Sequence, residues 1–161
     1  MESDSPSIGF VRKKARQLLK DAGITKSPIL LNEVVRFVHS RYGVDVIGAS
    51  LPEEIDGISI QYNGTNHIGY NQNKHPHRIR FTLAHEIAHV ILGHCNPTNS
   101  HDSQQSEIDE READEFAAEL LMPKDLIKND LESGINAKAL SEKYWVSEQV
   151  FWIRLIKLKL V

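Results

Sequence analysis

The chain lacks the features of disulfide-rich and of membrane-spanning proteins. It has one cysteine, Cys95, in 161 residues, so it cannot form a disulfide within itself. It also has no run of about 18 apolar residues, the length that a membrane-spanning helix requires. The N-terminus carries acidic residues where a signal peptide would carry basic ones. We therefore expect a cytoplasmic protein without membrane spans.

The chain also lacks a strong excess of charge of either sign. Lys and Arg number 19 against 22 Asp and Glu, which gives a net charge of -3. Proteins whose main task is to wrap nucleic acid have a clearly basic balance, so this class is disfavoured. Hydrophobic residues make up 40% of the chain and charged residues 25%, which is typical of a globular domain. The unusual number is eight histidines.

Hydrophobic periodicity and turn residues predict an α+β fold with a small antiparallel sheet. The predicted elements, in chain order, are helices at 8–22 and 28–43, a short strand at 44–47, a hairpin at 56–71, longer helices at 78–92 and 106–122, and a helical C-terminus at 137–158. Asn63-Gly64 is a typical turn for the hairpin. Residues 1–7 are expected to be a disordered tail, 8–125 one domain and 126–161 a C-terminal helical segment.

The most informative motif is the pentapeptide from His85 to His89, with the sequence HEIAH. In a helix, residues four apart lie about 40° from each other around the axis, so the two histidines share one stripe. Two imidazoles at that spacing can bind one Zn²⁺, and Glu86 beside them can accept a proton from an attacking water. The motif therefore predicts a catalytic zinc site.

The alternative interpretation of this motif is a solvent-facing His–Glu pair on a surface helix. A chain of this composition contains an H-E-x-x-H pattern by chance only about 0.03 times. Ala84, Ala88 and Val90 surround the histidines with apolar side chains. Such surroundings favour neutral imidazole and a dry metal shell, so the zinc site is the better hypothesis.

A catalytic zinc site needs a third protein ligand, and the sequence offers carboxylates rather than a third histidine. Position 95, where a third histidine would complete a longer zinc motif, is Cys95. The helix predicted at 106–122 is rich in acids. Among them, Glu112 lies at the edge of the apolar face, with Ile108 one turn before it and Phe116 one turn after it. Glu112 is therefore the first candidate for the third ligand.

The other acids of this helix are weaker candidates. Glu119 lies close to the same stripe and ranks second, and Glu115 ranks third. Glu110 and Asp114 are predicted to point away to solvent. Without the upstream pentapeptide, each of these acids would be interpreted as part of a solvated helix face.

Two blocks of sequence carry a family resemblance. Residues 80–89, RFTLAHEIAH, and residues 112–123, EADEFAAELLMP, resemble the ImmA/IrrE metallopeptidase family in content and order. The likeness covers about residues 30–125. It implies a thermolysin-like core, with Glu112 as the third zinc ligand and the hairpin at 56–71 lining the cleft. An exposed strand there could pair with an extended peptide substrate.

The resemblance also implies a function. Zn²⁺ held by His85, His89 and Glu112 would support amide hydrolysis with Glu86 as the general base. The substrate implied is a cognate helix-turn-helix repressor encoded nearby, in a phage, a mobile element or a stress response. One alternative is a regulatory module that binds DNA or a repressor without cutting it. Another is one component of a toxin–antitoxin pair.

The remaining histidines and tyrosines leave the oxyanion-stabilising group open. Candidates on or just beyond the hairpin are Tyr62, His67, Tyr70, His75 and His77, although each is more simply interpreted as a surface or half-buried polar residue. His94 and His101 fall between the two ligand helices, in the polar segment 93–106, and are predicted to be ordinary loop residues.

The C-terminal segment has the spacing of a helix-turn-helix. Residues 137–161 carry a net charge of about +3, which is compatible with DNA contact. However, Trp145 occupies the turn where glycine is usual, and only Glu148, Gln149 and Arg154 are available to contact bases. Packing against the rest of the chain or a protein partner is therefore favoured over DNA contact.

Overall fold

The computed structural model describes residues 6–95 and 103–161. Within them there are seven helices and three strands: α1 Pro6–Asp21, α2 Leu31–Tyr42, β1 Asp45–Ala49, β2 Gly57–Tyr62, β3 Thr65–Asn71, α3 Pro76–Ile91, α4 Ser103–Leu121, α5 Lys124–Glu132, α6 Ala137–Lys143 and α7 Glu148–Lys157. The α+β prediction is therefore confirmed. Most of the predicted tail and His101 lie outside the described residues. No helix in the described part combines the length and the apolar character needed to cross a membrane.

The three strands form a mixed sheet in the order β1-β3-β2. β2 and β3 are antiparallel, and their turn at Asn63 and Gly64 has positive φ at both residues, as the hairpin signal predicted. β1 runs parallel to β3, which corrects the expectation of a purely antiparallel sheet. The reason is that β1 and β3 are not sequential: β2 intervenes in the chain and pairs on the far side of β3. β2 is thus an edge strand.

The helix α3 has well-formed ends that set the position of the HEIAH motif. Pro76 stands at its start, where a missing N–H costs nothing, and the His75 ring accepts a hydrogen bond from the backbone N–H of His77 at 3.1 Å. Beyond the last turn, Gly93 adopts a φ of 77°. The HEIAH residues consequently lie in the second half of a regular helix, as predicted from the sequence.

One hydrophobic core joins the sheet, the two central helices and the C-terminal helices. Ile68 of β3, Ile87 of α3 and Phe116 of α4 are buried in the same cluster. Tyr144 and Phe151 from the C-terminal helices belong to it too, with their ring centroids 5.9 Å apart. The helical C-terminal segment therefore packs against the rest of the chain through its apolar side.

A buried ionic cluster fastens α1 and α7 to α4. Arg154 of α7 is 2% exposed and bonds to Glu119, which is fully buried, and to Glu115 at 3.3 Å. From α1, Arg12 approaches Glu115 at 2.7 Å and Arg16 approaches Glu119 at 3.2 Å. Arg154 cannot contact bases from this position, so its assignment as a candidate DNA-contacting residue was wrong. Glu115 and Glu119 serve this cluster rather than a metal.

Replacing Arg154 with Met is expected to lower the free energy of unfolding by about 3 kcal/mol, because it removes a partner of the buried Glu119 carboxylate. Urea unfolding followed by circular dichroism measures the loss. Lys157→Met is the matched control on the same helix, since Lys157 is exposed. Replacing both Arg154 and Glu119 with Met should restore much of the stability. An Arg154→Met variant as stable as Lys157→Met would show that this cluster does not hold α7 in place.

Candidate metal centre

His85 and His89 meet on one side of α3, as the four-residue spacing predicted. Their Nε2 atoms are 3.0 Å apart. Both side chains are largely shielded from solvent, with 14% and 11% of their surface exposed. The two nitrogens therefore converge on one point beside the helix.

Glu110 of α4 completes this group. Its Oε2 lies 3.0 Å from His85 Nε2, and its Oε1 lies 3.0 Å from His89 Nε2. Glu110 had been predicted to point to solvent. Its side chain is indeed more than half exposed, but the carboxylate faces the two rings, because α4 runs against the histidine stripe of α3. His85, His89 and Glu110 form one of two groups in the described residues whose donor atoms are close enough to share a metal ion.

The donor atoms fit zinc. Two nitrogens and a carboxylate oxygen are a donor set that zinc accepts in catalytic sites. Ligand atoms about 2.1 Å from a tetrahedral zinc lie about 3.4 Å from each other. The separations of 3.0 Å between the Nε2 atoms and from each to Glu110 are close to that value. Small outward movements of these side chains would therefore suffice to bind the ion.

Second contacts orient both histidine rings. Asp114 Oδ1 lies 2.8 Å from His85 Nδ1, and His94 Nδ1 lies 2.9 Å from His89 Nδ1. With Nδ1 engaged, each ring presents Nε2 to the shared point. Metal-binding histidines in proteins are typically held in this way by a hydrogen bond to the other nitrogen. Asp114 is exposed, as predicted, but its carboxylate also contacts the His85 ring. His94 was predicted to be an ordinary loop residue, and its contact with His89 corrects that prediction.

Glu112 does not join His85 and His89. Its Oε2 lies 3.1 Å from His94 Nε2, and with His94 and Asp109 it forms the second group that could hold a metal. It therefore reaches His89 only through His94. Glu110 and Glu112 lie about 200° apart around α4, at opposite edges of its apolar face. The apolar pattern of α4 marks both edges equally and does not say which of them meets α3.

The charges around the histidines are unequal. Burial lowers the pKa of His89, and the neighbouring His85 lowers it further. Burial also opposes protonation of His85, but the hydrogen bond to Asp114 and the charge of Glu110 outweigh it, so the pKa of His85 is raised. The acid-rich surroundings of His85 favour any cation at this point, whether a proton or a metal ion.

Glu86 lies buried between α3 and β2. Burial raises the pKa of its carboxyl group above the ordinary value, although a hydrogen bond with Ser59 of β2 opposes the rise. β2 comes this close because residue 57 is glycine. A Cβ at Gly57 would stand 2.5 Å from Thr82 Cγ2 and 3.2 Å from Glu86 Cγ. The edge strand β2 therefore lies directly against the candidate general base Glu86.

Cys95 lies beside Ser59 of β2 without joining a metal group. Its Sγ donates a hydrogen bond to Ser59 Oγ at 3.3 Å. Burial raises the pKa of the thiol, so the thiolate that metals prefer is disfavoured. Neither metal-compatible group in the described residues includes it.

The candidates for oxyanion stabilisation are spread over several places. His75 caps α3, and His67 lies 3.6 Å from Asp45 on β1. Tyr70 lines a cavity on the other side of the sheet from Tyr62, whose side chain is exposed. The contacts of His67 and His75 are therefore structural.

Comparison with known proteins identifies the family of this chain. Residues 39–155 match the sequence model of Peptidase_M78, described as the IrrE N-terminal-like domain. This chain belongs to that family. The match covers the HEIAH motif, the acidic helix α4 and most of the C-terminal helices, so the resemblance in the two sequence blocks is confirmed. The IrrE N-terminal-like family is a family of zinc metallopeptidases.

A solved structure shares the fold of this IrrE N-terminal-like chain. It is that of a Mycobacterium tuberculosis transcriptional regulator, with a TM-score of 0.70 and 16% sequence identity. The alignment covers 91% of this chain but only 46% of that one, so the chain spans about half the length of this neighbour. The sequence comparison with curated proteins gave no significant match.

Proposed function

We propose that this chain is a zinc-dependent endopeptidase whose metal is held by His85, His89 and Glu110. The observation that carries the proposal is the convergence of both Nε2 atoms on the Glu110 carboxylate, while Asp114 and His94 hold the Nδ1 atoms. We assign the third ligand to Glu110 in place of Glu112. The membership in a metallopeptidase family supports the reaction class.

Glu86 is the proposed general base. When bound, zinc supplies a Lewis acid that polarises the scissile carbonyl and makes water more acidic. Glu86 accepts a proton from the attacking water at its carboxylate and delivers it to the leaving amine. A buried carboxylate with a raised pKa is suited to both steps, because its pKa lies nearer to neutrality. The hydrogen bond from the Ser59 hydroxyl orients the Glu86 carboxylate for both steps.

β2 is the proposed binding edge for the substrate. Its other side pairs with β3, and Gly57 and Ser59 bring its backbone against Glu86. An extended peptide that added to this edge would run past the metal centre, with main-chain hydrogen bonds supplying affinity. This arrangement suits an unfolded loop or linker of a protein substrate better than a folded surface.

The proposed substrate is a helix-turn-helix transcriptional repressor encoded next to this chain, in a phage, a mobile element or a stress response. The IrrE N-terminal-like family and the fold shared with a transcriptional regulator support a regulatory substrate. Cleavage in the linker of such a repressor would relieve repression by separating DNA binding from dimerisation.

Incubation of the purified chain with the repressor encoded by the neighbouring gene tests this proposal. We expect one discrete cut in the presence of zinc, identified by mass spectrometry of the fragments, and no cut after removal of the metal with a chelator. Restoring zinc should restore the cut. An intact repressor that instead forms a stable complex with the chain would favour the non-proteolytic regulatory module. An intact repressor without a complex would exclude it as substrate.

A further inference from the structure

The cavity that Tyr70 lines lies on the other side of α3 from the histidines. It has a volume of about 740 Å³ and opens between α2, the inner side of the sheet and the first turns of α3. Its walls are largely apolar, with Val35, Val46, Ile79 and Leu83 among the lining residues. Leu83 and His85 are two positions apart, hence about 200° around the helix. The cavity is therefore separate from the metal centre, and its size is that of a small-molecule site.

A buried arginine without an acidic partner lines this cavity. Arg80 is 7% exposed, and its Nη2 donates to the carbonyl oxygen of Ile29 at 2.7 Å. Its Nε has no hydrogen-bond partner. No ion pair links Arg80 to a carboxylate of the described residues, and none of the cavity's lining residues is acidic. Burial lowers the pKa of Arg80 to about 10. Burying a cation without a counter-charge is energetically unfavourable. An anion bound beside Arg80 would therefore be stabilising.

Trp145 covers the arginine from the C-terminal segment. Its ring lies 5.2 Å from the guanidinium carbon of Arg80, and it lines the same cavity. Its φ is 55°, in the position after the end of α6 where glycine is usual. A tryptophan is strained there, because its Cβ crowds the backbone. Strain of this kind is typically retained where the side chain is functional. Here the side chain covers the Arg80 guanidinium, which glycine could not do.

We propose that this cavity binds a small organic acid with an apolar body, whose carboxylate pairs with Arg80. The carboxylate would accept from the free Nε–H, which gives the charged hydrogen bond that Arg80 lacks. The apolar body would lie against Val35, Val46 and Leu83, and the Trp145 ring would cover the head group. The exposed Arg36 at the rim adds a second positive charge at the entrance. The proposal is independent of the peptidase activity.

Calorimetry with chosen probes tests the proposal on the full chain. The probes are hexanoate, decanoate and 2-naphthoate, with decanol as the neutral counterpart of decanoate. We expect at least one acid to bind, and decanoate to bind more tightly than decanol. In a Trp152→Phe background, Trp145 is the only tryptophan, so its fluorescence should change when the acid binds. If no acid binds, or if decanol binds as tightly as decanoate, the proposal is wrong.

Variants of the cavity identify the contacts. Arg80→Gln should bind the acid about 10- to 100-fold more weakly, the value of a charged hydrogen bond. Arg78→Gln is the matched control, because Arg78 lies on the same helix but outside the cavity and is exposed. Val35→Trp keeps Arg80 and fills the cavity, so it should prevent binding even if Arg80→Gln fails to fold. Wild-type affinity in a folded Val35→Trp chain would overturn the assignment.

Discussion

Replacing Glu86 with Gln is expected to lower the rate of repressor cleavage by about 10²- to 10⁴-fold while zinc stays bound. Glutamine has the shape of glutamate and can still hydrogen-bond to Ser59, but its amide cannot accept the proton of the attacking water. Because Glu86 is not among the atoms that converge on the metal point, the zinc content should stay at about one ion per chain. Initial rates of fragment formation and the zinc content of the purified variant measure the two effects.

The matched control for this experiment is Glu54→Gln, a change of the same kind at an exposed residue outside both metal-compatible groups of the described residues. It should cleave at the wild-type rate. If Glu86→Gln retained full activity in releasing repression, the peptidase function would be wrong, and the non-proteolytic regulatory module would replace it. A Glu86→Gln chain that had lost its zinc would show that Glu86 is a ligand rather than the base.

Glu110 and Glu112, two residues apart on α4, are expected to contribute unequally to zinc binding. Glu110→Gln is expected to weaken zinc binding more than about 100-fold, because it removes a ligand from a site that needs three. Glu112→Gln should weaken binding only about 10-fold, since Glu112 contacts the proposed ligand His89 only through His94. Competition with a chelating dye measures both affinities on otherwise identical chains.

Glu107→Gln, at an exposed position of the same helix, is the control for the zinc measurement and should bind as the wild type does. The reverse order, in which Glu112→Gln loses the metal and Glu110→Gln retains it, would restore Glu112 as the third ligand, as the family resemblance implied. Equal and small losses in both variants would mean that neither carboxylate binds the ion.

The local parts of the site could be predicted from the sequence. The spacing of His85 and His89 determines that they share a stripe in any regular helix, and the structure brings their Nε2 atoms within 3.0 Å. The hydrophobic pattern and the stop at Gly93 predicted the bounds of α3 within about two residues. The hairpin signal at Asn63-Gly64 predicted the turn between β2 and β3. Each of these features depends on residues that are close in the chain, where helix geometry and backbone preferences decide.

The choice among the acids of α4 could not be predicted in this way. The apolar face of α4 shows which side is buried, but Glu110 and Glu112 flank it on opposite edges. Only the packing of α4 against α3 brings Glu110 to the histidines. His94 was missed for a related reason, since the sequence shows only that it follows Gly93 after the helix. Its one signal was its nearness to His89, five residues before it.

The sequence by itself indicated the metallopeptidase family, because the chemistry of the HEIAH motif depends only on the helical spacing of His85, Glu86 and His89. Tertiary structure alone decided which carboxylate faces His85 and His89. It also decided that Arg154 is buried in an ion cluster and that Arg80 lacks an acidic partner among the described residues. These three facts depend on which elements meet. Contacts between residues distant in the chain are set by the packing of whole helices and strands, and the pattern of one element does not specify its neighbour's position.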